Sequence, residues 1–193
     1  MEEKIKMAET VMLIDAAFLN FVTEDLKKNF ERMLSRKLQD IDLSHLFTYL
    51  ALDAGITEGK NDIQVFFIYD DESAQLKHAQ PSDLAKELNG VAFNNEFGEF
   101  SFNTFQPEGM ATREELFLES LKVVKDAEGT KRIVVLSFNE EYESEVLSIL
   151  KEVKEKEVIQ FRMSEPQEEV SFRCEILAYP LMHSLGIRGD ELQ

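Results

Sequence analysis

A short apolar run that ends in an acid, residues 11–15 (VMLID), constrains the fold more than any other stretch of this sequence. The run has no polar alternation, which is typical of a strand buried on both faces of a parallel sheet. An acid directly after such a strand lies at its carboxyl end, where open α/β sheets bind ligands. We therefore expect Asp15 to mark a binding edge.

Further apolar runs recur along the chain, separated by stretches with the apolar spacing of amphipathic helices. The strongest runs are residues 63–69 (IQVFFIY), 133–136 (IVVL) and 158–163 (VIQFRM). Alternation of apolar and polar residues favours two more strands, at residues 100–102 and 170–176. Strands that alternate with helices predict a three-layer α/β/α sandwich with a mostly parallel, Rossmann-like central sheet of five or six strands.

Capping residues mark where two of the helices should begin. Thr23 precedes acids and an apolar stripe, which predicts a helix over residues 24–38 and leaves residues 16–20 too short for an element of their own. Thr112 and Glu115 have the spacing of a capping box, in which each side chain bonds the other residue's backbone N–H. This pattern predicts a helix directly after Thr112.

Length and composition indicate a globular protein of the reducing cytoplasm. The 193 residues fit a single domain over residues 1–193, with flexible tails at residues 1–9 and 188–193. No apolar run approaches the ~20 residues of a membrane span, and the acidic N-terminus lacks the apolar core of a signal peptide. Cys174 is the single cysteine, which excludes an intrachain disulfide. We therefore predict a cytoplasmic location and no membrane partner.

The net charge of −17 argues against nucleic acid as a partner, because phosphate contacts need lysine and arginine. Residues 61–193 account for −14 of this charge. The predicted helix over 24–38 carries the one basic cluster: Lys27, Lys28, Arg32, Arg36 and Lys37. Such a face is usually a solvated surface, and the alternative is a track for phosphates beside the Asp15 edge.

Five phenylalanines crowd into the stretch Phe93–Phe105: Phe93, Phe97, Phe100, Phe102 and Phe105. Aromatic residues at this density are usually part of a core. The alternative is an interface between two copies of the chain, since aromatic sheet edges are natural pairing surfaces.

Acids follow three of the predicted strands, as Asp15, Asp70-Asp71 and Glu140-Glu141. Parallel strands bring their carboxyl ends to one edge, so Asp15 and Glu141 should face each other if their strands are neighbours. An acid of the helix after Thr112 could join them: Glu114, Glu115 or Glu119. Carboxylates without histidine or cysteine suit Mg²⁺ or Mn²⁺, which can activate water for attack on a phosphodiester.

Two motifs resemble the NYN branch of the PIN-like nuclease fold, over about residues 10–163. In that family the first strand ends in a pattern such as LIDGxN, and here residues 13–18 are LIDAAF. The family's fourth strand ends in S-G-D-x-D-F, and here residues 137–142 are SFNEEY. Asn139 replaces the first acid of that motif, Glu141 replaces the second, and Phe138 replaces its glycine.

The resemblance implies Asp15, Asn139 and Glu141 as catalytic residues, and Asp15, Glu115 and Glu141 as ligands of Mg²⁺ or Mn²⁺. The departures at Phe138 and Asn139, together with the net charge, predict that catalysis has been lost. We therefore expect a catalytically degraded PIN/NYN-like domain that acts through protein–protein contacts, as a homodimer joined through Phe93–Phe105. The alternative is a Mg²⁺- or Mn²⁺-dependent endoribonuclease whose helix 24–38 contacts the RNA backbone.

Overall fold

A computed structural model describes residues 5–193 and confirms a three-layer α/β/α fold, with a central sheet of seven strands rather than five or six. The strands are β1 (Thr10–Asp15), β2 (Ile41–Asp42), β3 (Asn61–Ile68), β4 (Ala79–Gln80), β5 (Ala92–Asn95), β6 (Gly98–Phe105), β7 (Arg132–Leu136), β8 (Glu157–Arg162) and β9 (Arg173–Ile176). The helices are α1 (Ala16–Leu34), α2 (Leu43–Asp53), α3 (Arg113–Lys125), α4 (Asn139–Lys151) and α5 (Ala178–Ser184).

The strand order of the main sheet is β5-β6-β3-β1-β7-β8-β9, while β2 and β4 pair separately. All neighbours in the main sheet are parallel except β5, which runs antiparallel to β6 at the edge. Counted along the chain, the parallel strands follow the 3-2-1-4-5-6 order of doubly wound Rossmann sheets. The order reverses between β1 and β7, so the crevice outside the carboxyl ends of these two strands is where such folds bind ligands.

Strand β1 is buried on both faces, as its apolar run predicts. Met12 and Ile14 face a core formed with α1, α2 and α5, whereas Val11 and Leu13 face a core formed with α3 and α4. All four side chains are fully buried. Each helix layer therefore packs against the same central strand.

The helix layer of α3 and α4 leaves part of the sheet open. Helix α3 packs over β1 and β3. On the same face of the neighbouring strand β6, the side chains are all exposed or half-buried: Glu99, Ser101, Asn103 and Phe105. Parallel strands are normally covered on both faces, so this half-covered region is unusual for the fold.

The first helix begins earlier than predicted, because Asp15 rather than Thr23 is its N-cap. The Asp15 side chain accepts hydrogen bonds from the backbone N–H groups of Ala17 and Phe18, so strand β1 passes into α1 without a loop. Thr23 lies buried inside the helix. The capping box of Thr112 and Glu115 is confirmed at the start of α3.

The phenylalanines of the stretch Phe93–Phe105 mostly belong to the core. Phe97, Phe100 and Phe102 are buried, and the ring of Phe93 stacks on that of Phe100 with centroids 4.8 Å apart. Phe105 is the exception, with 46% of its surface exposed. A homodimer interface in this stretch would therefore have to use Phe105 and the edge strand β5.

Both predicted tails make contacts where the structure describes them. The N–H of Glu128 donates to the carbonyl of Ile5, and Arg36 pairs with Glu191 at 2.7 Å. Residues 1–4 of the first tail lie outside the described residues. The single-domain organisation and the flexibility of the tails stay predictions. Over residues 5–193, no helix combines the length and apolarity needed to cross a bilayer.

Candidate functional site

Asp15 lies at the crevice between β1 and β7 with every hydrogen-bonding position of its carboxylate in use. Its Oδ1 accepts from the N–H groups of Ala17 at 2.9 Å and Phe18 at 3.2 Å. Its Oδ2 accepts from Arg113 Nε at 3.1 Å and from the Tyr142 hydroxyl. A carboxylate has about four lone-pair positions, so these four donors saturate it.

Arg113 joins three carboxylates that come from distant parts of the chain. Besides Asp15, its Nη1 donates to Asp70 Oδ2 at 2.6 Å, and its Nη2 donates to Glu141 Oε2. Its guanidinium also lies 5.7 Å from the centroid of the Phe138 ring. We call the group of Asp15, Asp70, Arg113, Glu141 and Tyr142 the Arg113 cluster.

The position of Arg113 in its helix depends on these acids. Arg113 is the first residue of α3, where the helix macrodipole disfavours a cation. The three carboxylates offset that unfavourable interaction, because each lies at the carboxyl end of the sheet next to the start of α3. Only 12% of the Arg113 side chain is exposed, so the pairs are largely shielded from water.

Asp70 and Tyr142 are held by local structure. Asp70 follows β3 and caps a short 3₁₀ turn, Asp71–Ser73, by accepting from the Ser73 N–H and hydroxyl at 3.0 and 2.8 Å. Tyr142 lies where the backbone of α4 departs from helical geometry, with φ −149° and ψ 37°. Its ring is buried 5.5 Å from Phe117, and its hydroxyl accepts from the Phe138 N–H at 3.2 Å.

The electrostatics of the cluster follow from burial and pairing. Burial raises the pKa of Asp15, and the Tyr142 hydrogen bond and the Arg113 charge oppose that rise. Burial alone would also raise the pKa of Asp70, but hydrogen bonds from Ser73 and Arg113 hold it below its usual value. Burial and the charge of Asp15 raise the pKa of Tyr142, so its hydroxyl keeps its proton and acts as a donor.

The structure brings two of the predicted site residues together and places the other two elsewhere. Asp15 and Glu141 meet through Arg113. The Asn139 side chain instead accepts from the Ser137 hydroxyl at 2.7 Å. Glu115 bonds the N–H of Thr112 and lines a different cavity. Among residues 5–193, no three histidine, cysteine or acidic side chains are arranged to hold a metal ion.

Sequence reasoning missed Arg113, Asp70 and Tyr142 as members of the site. Asp70 was noted, like Asp15, as an acid that follows a predicted strand, but it was not assigned to the site. A signal for Arg113 was also present, since a cation in the first turn of a helix usually needs an acidic partner. Tyr142 is the last residue of the stretch SFNEEY, and its aromatic ring was counted there only as a match to the phenylalanine of the family's motif.

An open cavity of about 270 Å³ lies beside the cluster. Arg113, Phe138 and Glu141 line one side, and α1 contributes Asn20 and Phe21. Its lining is mixed in charge and polarity, and the cavity opens onto the crevice where the strand order reverses.

The basic face of α1 lies away from this crevice. Lys27 is twelve residues after Asp15, or about 18 Å along a helix. Lys27 pairs with Asp40 at 3.1 Å. Arg36 and Lys37, predicted to belong to this helix, lie beyond its last residue, Leu34, and Arg36 pairs with Glu191. The face is therefore both remote from the Arg113 cluster and partly neutralised by acids of the same chain.

Removing the Tyr142 hydroxyl tests how firmly the cluster is held. We expect Tyr142→Phe to lower the free energy of unfolding by about 2 kcal/mol near neutral pH, because a hydrogen bond to a buried carboxylate is lost. Without that bond the pKa of Asp15 is higher in the variant than in the wild type. The difference in the free energy of unfolding is therefore largest at a pH above both of these Asp15 pKa values, and it disappears as the pH falls through them. Urea unfolding at several pH values measures both effects.

The matched control is Tyr179→Phe, since Tyr179 is 59% exposed and should tolerate loss of its hydroxyl. Equal stability of the two variants at neutral pH would contradict the role given to Tyr142.

Comparison with known proteins identifies a family but no relative of known activity. One family model matches residues 4–192, and its description is a family of unknown function (DUF6621). No curated protein and no solved structure matches the chain.

Proposed function

The chain belongs to the DUF6621 family, and we propose that it is a non-catalytic PIN/NYN-like domain that acts through contacts with other proteins. The observation that carries the proposal is the Arg113 cluster, in which a guanidinium joins Asp15, Asp70 and Glu141. In a two- or three-carboxylate metal site, these acids would instead surround a divalent cation.

The position of Arg113 opposes metal binding on grounds of charge. A divalent ion placed among the same three carboxylates would lie within a few ångströms of the guanidinium, and the two cations would repel each other. Arg113 would have to leave, which would break a largely buried pair with Asp15. Removing one partner of a buried ion pair costs about 3–5 kcal/mol.

The hydrogen bonding of Asp15 opposes metal binding independently. Both of its oxygens already accept two donors each, from Ala17, Phe18, Arg113 and Tyr142. A metal ligand needs a free lone pair, so an ion could bind Asp15 only after one of these donors had moved. The two backbone donors are fixed by the start of α1.

The remaining features of the nuclease family are also weak here. Asn139 bonds Ser137, and Glu115 caps its own helix, so neither adds a ligand to Asp15. The net charge of −17 repels RNA at long range, and the basic face of α1 is about 18 Å or more from Asp15. These observations favour a scaffold that uses protein contacts over an endoribonuclease.

Homodimerisation is part of the same proposal. Because most rings of the stretch Phe93–Phe105 are buried, the interface would be smaller than five phenylalanines suggest. The edge strand β5 remains available for it, whereas the buried rings do not. An acidic chain repels its own copies, so a dimer would need contacts that are mainly apolar or made by the backbone.

A metal titration of the wild-type protein tests the proposal. We expect millimolar Mn²⁺ to leave the melting temperature unchanged relative to Ca²⁺, and single-stranded RNA to remain uncut in its presence. Differential scanning fluorimetry and a gel assay with labelled RNA measure the two. The matched variant is Asp15→Asn, which would remove the central ligand of any ion. A Mn²⁺-dependent rise in melting temperature with RNA cleavage, both lost in Asp15→Asn, would establish the nuclease instead.

A further inference from the structure

An apolar groove runs along α3 on the half-covered side of the sheet. Its walls are formed by the side chains of Met7, Phe66, Ile68, Phe105, Leu116 and Val123, and it encloses about 270 Å³. We call this feature the α3 groove. It continues past Phe105 and Leu116 into a second depression next to Pro107 and Ala111.

The α3 groove has the position of a missing helix. On the opposite face, three helices (α1, α2 and α5) contribute to one core, while among residues 5–193 the helices that cover this face are α3 and α4. Beyond α3, the outward side of β6 and the half-buried Phe66 remain open. Helices pack beside one another on a sheet at about 8–10 Å, so the next place in this layer lies over β3 and β6.

The groove exposes apolar side chains that a soluble chain normally covers. Phe105 is 46% exposed and Val123 is 40% exposed. Apolar residues that lie together around a concave surface indicate a binding surface more strongly than scattered ones do.

The rim of the groove is acidic. Glu119 lines the groove itself, and Glu108 and Glu115 line the depression that continues it. Lys122 pairs with Glu119 at 3.2 Å and offsets that acid in part. An occupant that places cations against this rim would be attracted and oriented by it.

We propose that the α3 groove binds an amphipathic helix from a partner protein, with an apolar stripe flanked by lysine or arginine. The stripe supplies residues at helical spacing to the walls, and the basic flanks meet Glu108, Glu115 and Glu119. This inference rests on the proposed function, because it specifies the kind of partner in the protein contacts proposed there. It concerns a surface that the Arg113 cluster does not share.

A second copy of the chain fits the groove less well. Its net charge is also −17, so two copies would bring acidic surfaces together around the same rim. The basic face of α1 is partly neutralised, because Lys27 pairs with Asp40. Charge complementarity therefore selects a basic partner over a second copy in the α3 groove, and a homodimer would use the edge strand β5 instead.

Binding of a model helix tests the inference. The probe is a fluorescent peptide of about 18 leucines and lysines, with leucines at i, i+3, i+4 and i+7, a spacing that forms an amphipathic helix. Two control peptides are a rearranged sequence of the same composition, which has no apolar face, and a version with glutamate in place of lysine. We expect micromolar binding of the first peptide, by anisotropy, and at least tenfold weaker binding of both controls.

Matched variants locate the binding. Val123→Asp places a charge on the groove wall, and Leu52→Asp places one on α2, where Leu52 is 57% exposed. We expect the first to weaken binding at least tenfold and the second to leave it unchanged. Glu119→Lys on the rim should lower the affinity for the peptide and make that affinity less dependent on salt concentration. Glu145→Lys on α4 makes the same change in net charge and should leave both the affinity and its salt dependence unchanged. Phe105→Asp repeats the wall test from the sheet side, in case Val123→Asp alters folding.

Equal binding by Val123→Asp, Phe105→Asp and Leu52→Asp would overturn the inference. A wild-type dimer in size-exclusion chromatography that becomes monomeric in Val123→Asp would overturn it too, because a second copy would then occupy the groove. Neither outcome involves metal or RNA, so the Mn²⁺ test of the proposed function remains separate. If Mn²⁺ did bind and RNA were cleaved, the proposed function would fail, but binding of the peptide to the α3 groove could still be measured and judged by itself.

Discussion

Replacing Arg113 with glutamine is expected to lower the free energy of unfolding by about 3 kcal/mol or more, the largest effect of any substitution at the candidate site. The variant leaves Asp15 buried without its cation, while Asp70 and Glu141 lose the charge that holds three acids near one another. For a chain of this length, the melting temperature should fall by about 6–12 °C.

The same variant should respond to metal, whereas we expect no response from the wild type. Without the guanidinium, the three carboxylates are free to rearrange, and a divalent cation is then the simplest counter-charge for them. We therefore expect Mn²⁺ to raise the melting temperature of Arg113→Gln and to recover part of the lost stability. Thermal unfolding with and without Mn²⁺ measures both effects in one experiment.

The control for this experiment is Arg188→Gln. Arg188 is 72% exposed and pairs with Asp190 and Glu191 at 3.4 and 3.3 Å. Exposed pairs contribute about 0–1 kcal/mol, so its loss should be small and independent of metal. If Arg113→Gln were as stable as Arg188→Gln, the guanidinium would not be the counter-charge of the cluster.

Placing a charge at Phe100 is expected to prevent folding, whereas the same change at Phe105 should be tolerated. Phe100 is completely buried in the core that also includes residues of α2, next to the stacked ring of Phe93. Truncating such a residue to alanine costs about 3–5 kcal/mol, and a buried unpaired carboxylate adds to that cost. The total is comparable with the whole stability of a domain, about 5–15 kcal/mol.

Circular dichroism and size-exclusion chromatography separate this expectation from the interface hypothesis. Phe100→Asp should give unfolded or aggregated protein, and Phe105→Asp should give a folded protein with nearly wild-type stability. A folded monomer from Phe100→Asp, alongside a wild-type dimer, would instead favour an interface through Phe93–Phe105.

The parts of the fold that depend on apolar periodicity could be predicted from the sequence. The runs at 11–15 and 133–136 became neighbouring central strands because residues without polar alternation need cover on both faces. That adjacency is also why Asp15 and Glu141 lie at the same edge. The uncovered face of β6 was not predicted, because the apolar and polar pattern of a single strand does not show how many helices pack on each face of the sheet.

The sequence was enough to predict where the candidate site lies, but not which side chains form it. Asp15 was recognised by its position after a strand, and the same position made it the cap of α1, a role assigned to Thr23. The reach of Arg113 could not be inferred from spacing, because a long side chain at a helix start can point in several directions. The packing of β3 and α4 around it decides which carboxylates it meets.

The central position of β1 also has a consequence for how the chain folds. The partners of β1 are β3, about fifty residues later, and β7, about one hundred and twenty residues later. During synthesis, residues 10–15 leave the ribosome long before either partner exists, and this apolar segment must wait unpaired. Pairings between such distant segments slow folding, so nascent chains should depend on chaperones until residue 136 has emerged.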